Sequence, residues 1–187
     1  NEVLKQRPAN ATLEGYLFPD TYQLSKPVQA GAVIQQMLDN FERKLGETDY
    51  AKQYASRGLS LHQAVILASI VDREVQGEED QAMVAQLYMN RLRQDMLLQA
   101  DPTAIYGAEL QGLPTEPVNV EVSSPYNTYQ HKGLPPGPIG NPGLSALKAV
   151  AYPKANDYFY FISGKDGKTH FARTYDEHQR NIERYLN

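Results

Sequence analysis

Three features of the 187-residue sequence predict an α+β fold built mainly from helices, with a small β-element near the C-terminus. Apolar residues recur at helical spacing between residues 28 and 95. Two short aromatic runs flank a Gly-Lys-Asp-Gly turn near the C-terminus. The proline-dense stretch between these regions follows neither period. Hydrophobic residues make up 41% and charged residues 21%, the balance of a globular domain, so wholesale disorder is excluded. A chain of this length buries enough surface to form a core without covalent staples.

The elements follow in order. Residues 1–27 form an N-terminal aromatic segment broken by Pro8, Pro19 and Pro27. Within it Leu13 to Tyr22 is expected to lie on the core as a small strand. Residues 28–187 are expected to make one domain. Val28 to Leu45 reads as an amphipathic helix with Val33, Met37 and Phe41 on its stripe, ending at Gly46. A short helix is expected over Asp49 to Ser56. Ser60 and Gln63 have capping-box spacing, and the run from Ala64 to Val71 is apolar nearly all round, as in a central buried helix. It turns abruptly polar at Asp72-Arg73-Glu74. A second helix, from Glu79 to Asp95, carries Ala85, Tyr88, Met89, Leu92 and Met96 on one stripe.

The texture changes at Leu98. Seven of the twelve prolines fall between Pro114 and Pro142, which predicts a long loop, and Tyr126-Asn127-Thr128-Tyr129 argues that it is ordered. Leu144 to Ala151 reads as a short helix. Tyr158 to Ile162 and Thr169 to Ala172 read as two strands, and Asp176 to Leu186 as a closing helix.

Several chemistries are excluded or unsupported. The absence of cysteine removes disulfides, thiolate nucleophiles and iron–sulfur clusters. His62, His131, His170 and His178 have no metal-ligand spacing, so no metal and no cofactor is expected. There is no Gly-x-Ser-x-Gly elbow and no glycine-rich phosphate loop. With 18 Lys+Arg against 22 Asp+Glu and no basic run, nucleic acid is a poor candidate partner. No apolar run approaches the ~18 residues of a membrane span.

Acidic residues remain. At about 100° per residue, Glu74 falls on the stripe of Leu67, Ile70 and Val71, at the end of the buried face. Desolvation there raises a carboxyl pKa, which suits a general acid near neutral pH. Asp72 points to roughly the opposite face, so the two carboxylates cannot act on one bond. Residue chemistry alone leaves open that both are a solvated helix end. Ser69 lies on the same helix. Downstream, Asn90, Gln99, Asp101, Thr103 and the run Tyr126, Asn127, Tyr129 combine amides, hydroxyls and flat rings, a mixture that binds sugars. The same residues also serve as ordinary caps and turns.

Read together, these segments resemble the YceG-like (MltG) family of endolytic murein transglycosylases. The resemblance is carried by Glu14-Gly15-Tyr16-Leu17-Phe18-Pro19-Asp20-Thr21-Tyr22, Leu67 to Glu74, Asn90-Arg91-Leu92, Leu98 to Gly107, Tyr126 to Tyr129, Gly133 to Ile139, and Phe159-Tyr160-Phe161 through His170-Phe171. It implies a lysozyme-like or transglycosylase-like catalytic domain whose central helix carries the catalytic glutamate. The family pattern Ser-Ile-(Val/Ile)-Glu-Lys-Glu assigns that role to Glu74; Asp72 stands where the family usually has Glu. The implied substrate is the glycan strand of peptidoglycan, cut between N-acetylmuramic acid and N-acetylglucosamine to leave a 1,6-anhydro end. Asn90, Gln99, Asp101, Thr103, Tyr126, Asn127, Tyr129 and Ser69 would contact substrate. The resemblance further implies peptidoglycan synthases (penicillin-binding proteins) as partners and an extracytoplasmic, membrane-anchored location. The family's membrane helix and LysM-like subdomain are not recognisable here, so the catalytic domain alone is expected. A water-using muramidase with Asp101 as base, and a non-catalytic wall-binding domain, are the alternatives.

Overall fold

The computed structural model describes residues 4–9 and 11–187. The described residues form seven α-helices and one two-stranded sheet. The chain-order helices are α1 (Ala30–Gly46), α2 (Tyr50–Ser56), α3 (Leu61–Glu74), α4 (Glu78–Arg93), α5 (Asp101–Glu109) and α6 (Leu144–Ala151). The hairpin β1 (Tyr160–Ser163) and β2 (Thr169–Ala172) follows, and α7 (Tyr175–Tyr185) closes the fold.

The central element is α3. Ser60 Oγ accepts from the Gln63 amide at 3.2 Å while Gln63 Oε1 accepts from the Ser60 amide at 2.9 Å, so the expected capping box starts the helix. Val65, Leu67, Ile70 and Val71 are all fully buried. Burying each such side chain contributes about 1.5–3 kcal/mol before the entropy of ordering it is subtracted. Helix α6 packs against both α3 and α4, with Leu147 and Val150 fully buried. Tyr54 of α2 joins this centre and donates its hydroxyl to the Leu147 carbonyl at 2.9 Å. On α1 the buried stripe is Leu38, Phe41 and Leu45. The predicted stripe of Val33, Met37 and Phe41 holds only at Phe41, because α1 meets the core mainly through its C-terminal half.

One other expectation is corrected. The segment Leu13 to Tyr22 forms turns and irregular chain, not a strand. It does pack on the core: Tyr16 is fully buried beside Phe41, and its hydroxyl meets His62 Nδ1 at 2.7 Å. Its backbone is captured by Asn141, whose Oδ1 accepts from the amides of Gly15 at 2.8 Å and Leu17 at 3.1 Å. Gly15 has φ +89°, and a Cβ there would lie 2.5 Å from Pro138 Cγ and 2.8 Å from Val65 Cγ1, so only glycine fits. Asp101 to Glu109, ahead of the proline-dense stretch, is a helix that the sequence reading did not assign. Gly107 lets α5 approach the Ser124 loop, where a Cβ would come within 2.7 Å of Ser124 Cβ.

The proline-dense stretch is ordered by buried polar braces. Asn127, fully buried, donates to the carbonyls of Val120 and Val122, both at 2.8 Å. The hairpin pairs antiparallel with Phe161 opposite Phe171, as the sequence predicts to within two residues.

Candidate active site

Helix α3 ends at Glu74, and α4 folds back beside it. The turn between them uses Gly77 at φ +89°. This reversal brings Tyr88 of α4 against the glutamate: the Tyr88 hydroxyl donates to Glu74 Oε1 at 2.6 Å. Tyr88 is buried, with Phe161 of β1 packed edge-on against its ring.

Glu74 opens onto a cleft of about 610 Å³. One wall is α5 and the loop beyond it, with Asp101, Pro102, Ile105, Val118 and Tyr129. The other is the hairpin and α7, with Tyr160, Phe161, Tyr175 and His178. Tyr175 is 57% exposed and braced edge-on by Tyr160. Such a ring offers a flat apolar surface to the cleft. On the first wall, Asp101 Oδ1 accepts from the Tyr129 hydroxyl at 2.5 Å.

Burial pushes the Glu74 carboxyl up to about 7. The bond from Tyr88 and the charge of Arg91 oppose this shift, and the charge of Asp101 adds to it. At neutral pH a large fraction of Glu74 is therefore the neutral acid, as the sequence argument expected of a carboxyl at the end of a buried face. Burial likewise raises Asp72, against a bond from the Gly143 amide at 3.4 Å. Asp72 therefore faces the start of α6 and is not among the cleft residues.

The expected substrate contacts divide. Gln99, Asp101 and Tyr129 line the cleft with Glu74. Gln99 takes φ +50°, a left-handed conformation unusual for a side-chain-bearing residue, with its amide bonded to the Thr128 carbonyl at 3.1 Å. The five others lie elsewhere. Ser69 is buried and bridges the Ile66 carbonyl and the Ile139 amide. Thr103 is buried and shares its hydroxyl with Thr128 at 2.8 Å. Asn127 braces the loop, as described. Asn90 lies on another face of α4, donating to the Asn156 carbonyl at 3.0 Å. Tyr126 packs edge-on against Tyr106, 4.8 Å between centroids, and is not in the cleft wall. These hydroxyls and amides satisfy buried backbone groups, which the sequence could not distinguish from contacts to a sugar.

Arg91 emerges as a central residue of the cleft. It is 6% exposed and donates to the carbonyls of Phe159 (2.6 Å), Leu98 (2.7 Å) and Leu97 (3.1 Å) and to Gln99 Oε1 (3.3 Å). Its guanidinium also lies over the Tyr160 ring at 5.2 Å. It ties the hairpin wall to the Leu97–Gln99 turn, and so helps set the shape of the cleft. Its position beside Asn90 in a matching motif was a sequence signal, but its role as a brace between the walls was not. Tyr88 was legible only as a core residue. Among the described residues no cluster of three or more acidic or histidine side chains is placed to hold a metal ion.

Residues 2–184 match the YceG-like family. The chain belongs to that family. A YceG-like protein from Listeria monocytogenes, known from a 2.6 Å crystal structure, superposes with a TM-score of 0.82 at 34% identity, covering 96% of this chain and 59% of that one. The endolytic murein transglycosylase of Bacillus subtilis (strain 168) is 35% identical over 174 residues, 93% of this chain and 48% of the relative. That of Streptococcus pneumoniae serotype 2 (strain D39) is 30% identical over 190 residues, 98% of this chain and 34% of the relative. The chain thus spans about a third to a half of the length of these curated relatives. The helical α+β architecture with a C-terminal hairpin is that of the YceG-like structure.

Proposed function

We propose that this YceG-like domain is an endolytic lytic transglycosylase that cuts the N-acetylmuramic acid–N-acetylglucosamine bond of peptidoglycan glycan strands. The observation that carries the reading is one carboxylic acid, Glu74, pushed up to about 7 by burial and lining a cleft of about 610 Å³. The names of its relatives point to the same polymer.

The chemistry needs one acid that later acts as a base. Neutral Glu74 gives its proton to the glycosidic oxygen as the C1–O bond breaks with oxocarbenium-like charge. The departing sugar keeps that proton as its 4-hydroxyl. The Glu74 carboxylate then takes the proton of the muramyl C6 hydroxyl while O6 bonds to C1, closing the 1,6-anhydro ring and restoring the acid. Atoms balance without water. The nucleophile is held in the substrate itself, so no second carboxylate is required. A pKa near 7 suits both halves, since neither protonation state is scarce. Asp101, Gln99 and Tyr129 on one wall, and Tyr175 on the other, are the candidate contacts to the strand.

The site belongs outside the cytoplasmic membrane, beside murein and the penicillin-binding synthases that extend it. Among the described residues no helix is long and apolar enough to cross a membrane. The deciding experiment is mass spectrometry of fragments released from purified sacculi. Anhydro-ended products, lighter by one water than reducing-ended ones and lost in Glu74→Gln, are expected. Reducing ends would make Asp101 the base of a muramidase. Binding to sacculi without release of fragments would make the chain a wall-binding domain.

A further inference from the structure

The reading of Glu74 as acid and base leaves one question that the geometry answers: which of its two oxygens holds the proton. Oε1 accepts the Tyr88 hydroxyl at 2.6 Å, whereas Oε2 has no partner among the described residues and is not sealed from the cleft. We propose that Tyr88 is a positioning residue that confines the catalytic proton to Glu74 Oε2, the oxygen facing the substrate.

The direction of the bond follows from accounting for donors. Tyr88 is 1% exposed, and its hydroxyl meets no other acceptor among the described residues. Were neutral Glu74 to donate through Oε1, the phenol O–H would be left buried with no partner, a costly state in a protein interior. With Tyr88 donating, the acid proton has only Oε2 to occupy. Burial and the neighbouring Glu74 charge raise the Tyr88 phenol well above its ordinary value, so it stays a donor at every working pH. Once Glu74 has given up its proton, the same bond becomes charge-assisted and stronger. It therefore orients the acid in the first half-reaction and stabilises the carboxylate between the two. The other charged or titratable groups facing this cleft are Arg91 of α4, Asp101 of α5, Tyr129 of the following loop, Tyr160 of β1, Tyr175 and His178 of α7, and Arg73 beside Glu74. None of these groups hydrogen-bonds to either Glu74 oxygen.

The inference rests on the proposed role of Glu74, and its test separates the two. In Tyr88→Phe, which removes one oxygen from a buried site, carbon NMR of the Glu74 carboxyl in the free domain should show its titration midpoint displaced upward by about half a pH unit or more, because a bond favouring the charged form is gone. The alkaline limb of the activity–pH profile on murein should move up with it, while activity at the optimum falls about tenfold, the equivalent of one hydrogen bond lost from the transition state. An unchanged or lowered midpoint, or undiminished activity at the optimum, overturns the inference. If Tyr88→Phe fails to fold, the wild-type hydroxyl proton decides. A slowly exchanging, downfield resonance close to Glu74 supports the assignment, and rapid exchange with water overturns it. Full activity in Glu74→Gln would sink the functional reading while leaving the titration result intact.

Discussion

Asp72 and Glu74 lie two residues apart on the last turn of one helix, yet the fold treats them as different chemical groups. Asp72 turns toward the start of α6, where the Gly143 amide engages it. Glu74 turns toward α4 and the cleft, where Tyr88 occupies one oxygen and the other stays open. Burial raises both, so a shifted carboxyl does not by itself mark a catalyst. What separates them is their surroundings: Asp72 is engaged at the start of α6, and Glu74 lines a cleft that a substrate can enter.

The largest effect that sharpens this contrast is at Glu74. Glu74→Gln should lower activity at least about a thousandfold, the range expected for loss of a general acid–base. It should also stabilise the fold at alkaline pH. The folded pKa of about 7 lies above the ordinary 4.5, so the unfolded chain loses this proton first. The group's contribution to stability is full below about 4.5 and fades as pH rises through about 7. Compared by urea unfolding, Glu74→Gln should therefore gain on wild type by about 2–3 kcal/mol between pH 4.5 and pH 8. A constant difference across that range would remove the buried acid from the argument.

A smaller effect is expected across the cleft. Asp101→Asn removes a charge that raises Glu74, so the alkaline limb of activity should move down in pH, opposite to the shift expected for Tyr88→Phe. A limb that stays in place would mean that the two carboxyl groups do not sense each other. On the hairpin side, Tyr175→Ala should raise KM for glycan fragments several-fold with kcat nearly unchanged, and Tyr175→Phe should restore it, since the ring face and not the hydroxyl would contact sugar. Equal loss in both variants would argue against stacking.

The smallest effect belongs to Asp72. Asp72→Asn should leave activity within about twofold and, at neutral pH, stabilise the fold by no more than about 1 kcal/mol, because the amide oxygen can still accept from Gly143 without the penalty of a buried charge. That gain should disappear in acid, where Asp72 is protonated in both states; its raised pKa means its favourable contribution is complete only below its ordinary value and is lost as pH rises. A large loss of activity would erase the distinction between the two acids.

The helix α5 shows why part of the fold was hidden. Pro102 looks like a breaker when the chain is read locally, but it sits in the first turn of α5, where its missing N–H costs nothing. The N-terminal segment shows the reverse failure. Its aromatic residues suggest a strand, but among the described residues no strand edge pairs with it, and Asn141, more than a hundred residues away, takes up the Gly15 and Leu17 amides. The sugar-like mixture of Asn90, Gln99, Asp101, Thr103, Tyr126, Asn127 and Tyr129 contained three cleft residues, Gln99, Asp101 and Tyr129, and internal braces such as Thr103 and Asn127. Residue type is shared by both roles, and only the partner distinguishes them.

The chain's own periodicity and caps were enough to determine α3, α4, α6, the hairpin and α7, because helix and strand formation depend on neighbours a few residues apart. The same local rule placed Glu74 at the end of a buried face, and the ordered motifs placed the chain in its family. Tertiary structure alone decided that Tyr88 meets Glu74 and that Arg91 joins the two walls. These contacts are made between groups brought together from different elements, and the burial that shifts a carboxyl is a property of the space they enclose.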